Sequence, residues 1–186
     1  GLARLTSTKT KEDFMNTYRQ VKALLHAELL NMGGLFVRQA FPTAKVEMVD
    51  PFLLLHHGEM EVTEHMNLKH AGVAPHPHRG FSPVTFIFKG GVHHRDSRGN
   101  DSTIYAGGVQ WMNAGMGVMH SERPPQDIMA LGGVTEIIQM WVNTPATHKM
   151  DLPQYFPLTK EQIPVYSTGD GKISVHVSAG ELMGTK

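Results

Sequence analysis

The chain has 186 residues, 40% hydrophobic and 18% charged, with 17 basic and 17 acidic residues and a formal net charge of zero. That length suits one domain, or one domain with an appendage. The balanced charge offers no broad field to attract nucleic acid or an acidic membrane, and no apolar run is long enough to span a bilayer.

Cysteine is absent, which excludes a disulfide framework, a cysteine nucleophile and thiolate metal ligation in this chain. Histidine is frequent at twelve, so any bound transition metal would be held by imidazole and carboxylate. Nineteen glycines and eleven prolines point to many turns, as all-β folds need. The chain begins with Gly rather than Met, which fits a removed tag or leader. A cytoplasmic location is the expectation, although the lack of cysteine suits reducing and oxidising compartments alike.

Residues 1–10 read as a loose terminus. Thr10 then reads as a helix N-cap, with Glu12 and Asp13 in the first turn. Phe14, Tyr18, Val21, Leu25, Leu29 and Met32 form an apolar stripe at helical spacing, ended by Gly33 and Gly34. A helix is therefore expected over residues 11–32.

From Leu35 the texture changes to short strands. Strands are expected at 35–41, 45–49 and 51–56, followed by a polar loop at 60–75. A further strand at 84–89 leads to a hairpin, 92–95 and 102–105 around the turn Ser97-Arg98-Gly99-Asn100. Strands follow at 109–112, 118–122, 135–143 and 173–178, with a loop at 124–132. In 135–143, Ile137, Gln139, Trp141 and Asn143 share one face. Strands every 8–12 residues with turns between them predict a sandwich or barrel.

The chemistry resides in two short pairs. His76-Pro77-His78 sets two imidazoles at i and i+2, on one side of a strand, where they can share an ion about 2 Å away. His120-Ser121-Glu122 has the same spacing and follows the glycine turn Ala114-Gly115-Met116-Gly117. Either pair alone reads equally well as ordinary core or surface residues. Together they offer three imidazoles and one carboxylate with open coordination positions, which suits non-haem iron or another divalent first-row metal.

The strings His76-Pro77-His78-Arg79-Gly80-Phe81, His94-Arg95-Asp96-Ser97, Gln110-Trp111-Met112-Asn113-Ala114-Gly115-Met116-Gly117-Val118-Met119-His120-Ser121-Glu122 and Gln139-Met140-Trp141-Val142-Asn143 are similar to those of the pirin family of the cupin superfamily. Asp50-Pro51-Phe52-Leu53-Leu54-Leu55 also matches. The resemblance covers about residues 36–186. It implies an all-β, cupin-type β-barrel (a double-stranded β-helix, or jelly roll), here with an N-terminal helix.

It also implies metal ligation by His76, His78, His120 and Glu122. The expected ion is Fe(II), with Mn, Ni, Co, Cu or Zn as alternatives. The implied organisation is an N-terminal helical extension at 1–34, the barrel at 35–150, and a C-terminal segment at 151–186 leading toward a second cupin domain that pirins normally carry. Three features depart from the family pattern: Ser82 stands where many pirins have Glu, His56-His57 where an acid often precedes His, and the helix is not a family feature.

Some pirins resemble quercetin 2,3-dioxygenase in activity. By that analogy the substrate is a flavonol-type aromatic chelator, and Glu122 is the catalytic group, as ligand or as the base that takes the hydroxyl proton. The rival reading is a non-enzymatic, metal-dependent partner of transcription regulators or metabolic enzymes. The blandest is a structural or metal-storing barrel. Half a bicupin leaves apolar surface to cover, so a homodimer is expected.

His56, His57, His93 and His94 read as structural or surface residues, because neighbours in a strand face opposite ways. His65, His70 and His148 read as solvated. Trp111 and Met112 are candidates for the core or for an apolar wall of the metal cavity. Arg79 reads as exposed, with Asp96 as a candidate partner.

Overall fold

The computed structural model describes residues 20–32, 35–64, 66–67 and 71–186. Its strands are β1 (Glu28–Met32), β2 (Leu35–Phe41), β3 (Phe52–Val62), β4 (Val73–His78), β5 (Phe81–Lys89), β6 (Gly91–Asp96), β7 (Asp101–Tyr105), β8 (Val109–Asn113) and β9 (Val118–Arg123). The short helix α1 (Gln126–Leu131) follows, then β10 (Gly133–Asn143), β11 (Gln154–Leu158), β12 (Val165–Ser167) and β13 (Ser174–His176). A seven-stranded sheet runs β1-β2-β3-β10-β5-β8-β11, and a four-stranded sheet runs β4-β9-β6-β7. All pairings among these strands are antiparallel.

The two larger sheets face one another across shared apolar contacts. Ile87 of the first packs with Val92 and Ile104 of the second, and Ile137 closes that cluster. Met112 packs with Ala114, Val118 and Tyr155 in the same way. Strand β5 lies centrally between β10 and β8, so its sequence FSPVTFIFK is a nearly unbroken buried run rather than an alternation. Strand β9 lies at the wall of the barrel and alternates: Val118 and His120 are buried while Met119 is 44% exposed.

Two registers place the histidines. Strand β4 pairs with β9 so that His76 stands opposite His120 and His78 opposite Val118, with a one-residue shift between Val73 and His76. Strand β6 pairs with the other edge of β9, setting Asp96 opposite His120 and His94 opposite Glu122.

The helix expected over residues 11–32 is not formed in its described part. Residues 20–27 carry no regular element, and Glu28–Met32 is a strand paired with β2 from Glu28–Gln39 to Met32–Leu35. Residues 11–19 lie outside the described residues. A Gly-Gly dipeptide between two apolar runs is a hairpin signal as much as a helix stop, and pairing with β2 prevails over the helical spacing of Leu25, Leu29 and Met32.

The expected boundary at residue 34 falls between these two paired strands, and β11, beyond the expected boundary at 150, pairs with β8 in the main sheet. Residues 45–49 form no strand beyond a bridge from Val49 to Phe52. The loops expected at 60–75 and 124–132 contain the start of β4 and the whole of α1.

Candidate metal centre

The His-x-His and His-x-Glu pairs meet because β4 and β9 are neighbours and both alternate. Pro77 and Met119 turn outward, so His76, His78 and His120 turn inward from adjacent positions. The turn that returns the chain into β9 needs glycine. Gly115 has φ +47°, and a Cβ there would lie 2.1 Å from the Asp151 carbonyl oxygen. Its own carbonyl accepts the Gly80 N–H at 2.8 Å, tying the turn to the end of β4.

The three imidazoles converge on one point. His76 Nε2 lies 2.9 Å from His78 Nε2 and 3.0 Å from His120 Nε2. One ligand atom from each ring can be chosen with all three within 4.8 Å of one another. Two donors at right angles about one ion, each about 2.1 Å away, stand about 3.0 Å apart. The separations are therefore those of neighbouring ligands on a single metal.

The tautomers sharpen this fit. His76 Nδ1 donates to the Ala74 carbonyl at 2.8 Å, so its Nε2 carries a lone pair. His94 Nε2 donates to Asp96 Oδ2 at 3.0 Å, and a neutral His94 in that tautomer accepts the His120 Nδ1 proton on its own Nδ1 at 3.3 Å. His120 Nε2 is then also a bare lone pair. Burial, with the neighbouring imidazoles His120 and His76 adding to it, pushes the His78 pKa down to about 3 despite Glu122. Burial, followed by His76 and His94, does the same to His120, also to about 3. These two imidazoles are held neutral, the form that ligates metal.

Glu122 is held beside this group by other hands. Gln139 Nε2 donates to its two oxygens at 3.2 and 2.9 Å, and the Thr85 hydroxyl donates at 3.3 Å. Trp141 Nε1 donates to Gln139 Oε1 at 3.1 Å, which sets the direction of that amide. Glu122 also lines a mainly apolar cavity between the sheets, with Val37, Met60, Val92 and Ile137 among its walls. The three histidines are thus gathered directly, while the carboxylate stands next to them in a hydrogen-bonded cradle.

The adjacent histidine pairs behave as strand geometry predicts. His56 and His57 face apart, to Gln39 at 2.6 Å and Glu136 at 2.9 Å. His93 turns out to Asp101 at 2.6 Å, whereas His94 turns in, is 1% exposed and contacts His120. His148 is exposed and paired with Asp151. His65 and His70 lie outside the described residues.

Arg79 contacts the Met150 sulfur at 3.3 Å, and Asp96 is committed instead to His94, Arg98 and Asn100. Trp111 packs against the cluster of Val84, Val109 and Ile163 rather than on the histidines. The aromatic wall consists of Phe81 and Trp141, both edge-on to His78 at 5.1 and 5.2 Å. Sequence reasoning missed Thr85 and the joint role of Gln139 and Trp141. The shared face of Gln139 and Trp141 on β10 was the available signal.

The sequence model of the Pirin family matches residues 34–142. This chain belongs to the pirin family. It is 38% identical over 179 residues to Pirin-like protein 2 of Arabidopsis thaliana, covering 96% of this chain and 50% of that protein. The chain spans about half the length of the curated pirin relatives it matches.

Among solved structures, it is 34% identical to a quercetin 2,3-dioxygenase from Acinetobacter baumannii, with TM-score 0.76 over 87% of this chain and 57% of that one. The pirin YhhW of Escherichia coli, solved in complex with nickel(II), shares the fold at 24% identity and TM-score 0.59, over 70% of this chain and 53% of that one. The fold of this pirin is the cupin-type barrel. No helix among its described residues is long and apolar enough to cross a membrane.

Proposed function

We propose that His76, His78, His120 and Glu122 hold one divalent first-row metal, Fe(II) in the working protein, and that the site opens the ring of a flavonol-type aromatic substrate with oxygen. The observation that carries this reading is the convergence of three imidazole nitrogens, with His76 Nε2 2.9 Å from His78 Nε2 and 3.0 Å from His120 Nε2. The reaction class is supported by the likeness to the A. baumannii quercetin 2,3-dioxygenase.

A bound metal would supply a Lewis acid and a one-electron partner for oxygen. The protein's part is positional. His78 and His120 stay neutral, and His76 and His120 are aimed by their Nδ1 contacts to the Ala74 carbonyl and to His94. Glu122 accepts the substrate's hydroxyl proton on a carboxylate oxygen, while Gln139 keeps that carboxylate facing the site. Phe81 and Trp141 shield the His78 side from water.

Metal analysis of purified protein, followed by anaerobic loading with Fe(II) and oxygen uptake on quercetin, tests the reading. About one ion per chain and quercetin-dependent uptake are expected. Protein that retains no metal overturns the site. Metal without uptake overturns the dioxygenase and favours a metal-dependent regulatory protein. Full turnover by Glu122→Gln removes the base role.

The proposal extends to assembly and location. Exposed Leu29, Met32 and Phe36 on the β1–β2 hairpin support a homodimer, and a monomeric mass at micromolar concentration would contradict it. The proposed cytoplasmic location is checked by fractionation.

A further inference from the structure

We infer that His94 and Asp96 are positioning residues for His120: together they lock its ring and tautomer so that Nε2 faces the His76–His78 pair. The inference rests on the metal reading above, but it concerns residues outside the proposed ligand set.

The geometry starts from Asp96. Its Oδ1 accepts the backbone N–H groups of Arg98 and Asn100 at 2.9 and 3.0 Å, and its Oδ2 accepts Asn100 Nδ2 at 2.8 Å. These are all donors, so the carboxylate acts only as an acceptor, and the bond to His94 must be given by His94 Nε2. The Asp96 and His94 side chains are 2% and 1% exposed.

Tyr155 stacks flat on the His94 ring, 3.9 Å away and 9° from parallel, and is itself anchored through its hydroxyl to Ser102 at 2.8 Å. The His94 ring therefore has one orientation, with Nδ1 toward His120 Nδ1. A metal-bound imidazole commonly gives its second N–H to a carboxylate or carbonyl, which fixes the ring and raises its basicity. Here a second histidine is interposed, and the negative charge of Asp96 reaches His120 through it.

A histidine that merely fills the core would satisfy its bonds without affecting the ion, so the test reads the ion. Cobalt(II) affinity by chelator competition, and the visible d–d spectrum of the cobalt protein, are measured for wild type and three variants. His94→Asn keeps an acceptor near the Nδ1 position and loses the Asp96 bond. His94→Gln keeps a donor near Nε2 and loses the acceptor. His94→Phe keeps the stack on Tyr155 and loses both.

Affinity is expected to fall about 10- to 100-fold in the Gln and Phe variants, with a shifted spectrum. It is expected to be restored only in part in the Asn variant, which supplies the acceptor without Asp96. The remaining deficit is the share of Asp96, and full wild-type affinity there removes Asp96 from the inference. Wild-type affinity and spectrum in the Gln and Phe variants overturn the inference, as does an Asn variant no better than Gln. Should the Phe variant fail to fold, the Asn–Gln contrast decides alone. Wild type that binds no cobalt, or binds it unchanged after His120→Ala, overturns the metal reading and this inference with it. Loss on His120→Ala with no loss on His94→Gln overturns only this one.

Discussion

The side-chain amide of Gln139 donates to both carboxylate oxygens of Glu122, at 3.2 and 2.9 Å, and its own oxygen is claimed by Trp141. Glu122 therefore has a fixed direction before any ligand arrives. Gln139→Leu is expected to cut quercetin turnover at least tenfold with little change in KM. It should also destabilise the fold by about 1–3 kcal/mol, because the Trp141 N–H and the carboxylate lose their partner. Steady-state oxygen uptake and urea unfolding measure the two effects, and unchanged turnover would remove Gln139 from the site.

Acid should weaken the metal-free protein through the site itself. His78 and His120 titrate at about 3 in the fold and near 6.5 when unfolded. Between those values the unfolded chain binds more protons than the folded one. Stability is therefore full above pH 6.5 and is lost as pH falls toward 3, by up to about 1.4 kcal/mol per pH unit for each histidine. Denaturant midpoints of metal-free protein at pH 7, 6 and 5 are expected to fall steadily. A flat profile would mean that neither imidazole is kept neutral by the fold.

Metal should act in the opposite sense. A ligand that binds only the folded chain stabilises it by about 2.7 kcal/mol at one hundred times its Kd. Loading with Fe(II) or Co(II) should raise Tm, and a chelator should reverse the rise. In His120→Ala the rise should disappear. A shift of equal size in that variant would place the ion elsewhere.

Gly115→Ala should be among the more damaging single-methyl changes. The backbone there has φ +47°, and the new carbon would lie 2.1 Å from the Asp151 carbonyl oxygen. A loss of about 2 kcal/mol or more is expected in urea unfolding. Metal affinity should fall as well, because the turn leads directly into β9, which carries the buried Val118 and His120. Wild-type stability would show that the turn relaxes freely.

The three converging histidines were legible because a strand period of two is a strong local rule and both pairs obey it. Strand β2 was legible to the residue, and β10 nearly so, for the same reason. Residues 28–32 were not, because Leu25, Leu29 and Met32 have helical spacing, and only pairing with β2 decides otherwise. Helix α1 is six residues long, too short to display a period, and sits among residues that read as loop. His94 reads from the sequence as a structural or surface residue. Its contact with His120 depends on β6 lying against β9, a neighbour relation that no local pattern encodes.

The one-residue shift in the β4–β9 ladder lies between the cavity wall and the histidine cluster. Val73 and His76 are three apart, an odd step that would put them on opposite faces of an uninterrupted strand, yet Val73 lines the cavity and His76 joins the histidine cluster. The additional residue in β4 resets the phase between them. Shortening that stretch by one residue at Ala74 or Pro75 would match the two-residue step from His120 to Glu122 across the ladder, so that both side chains could face inward on an unbroken strand. The extra residue sets the local bend of β4 rather than the direction of either side chain.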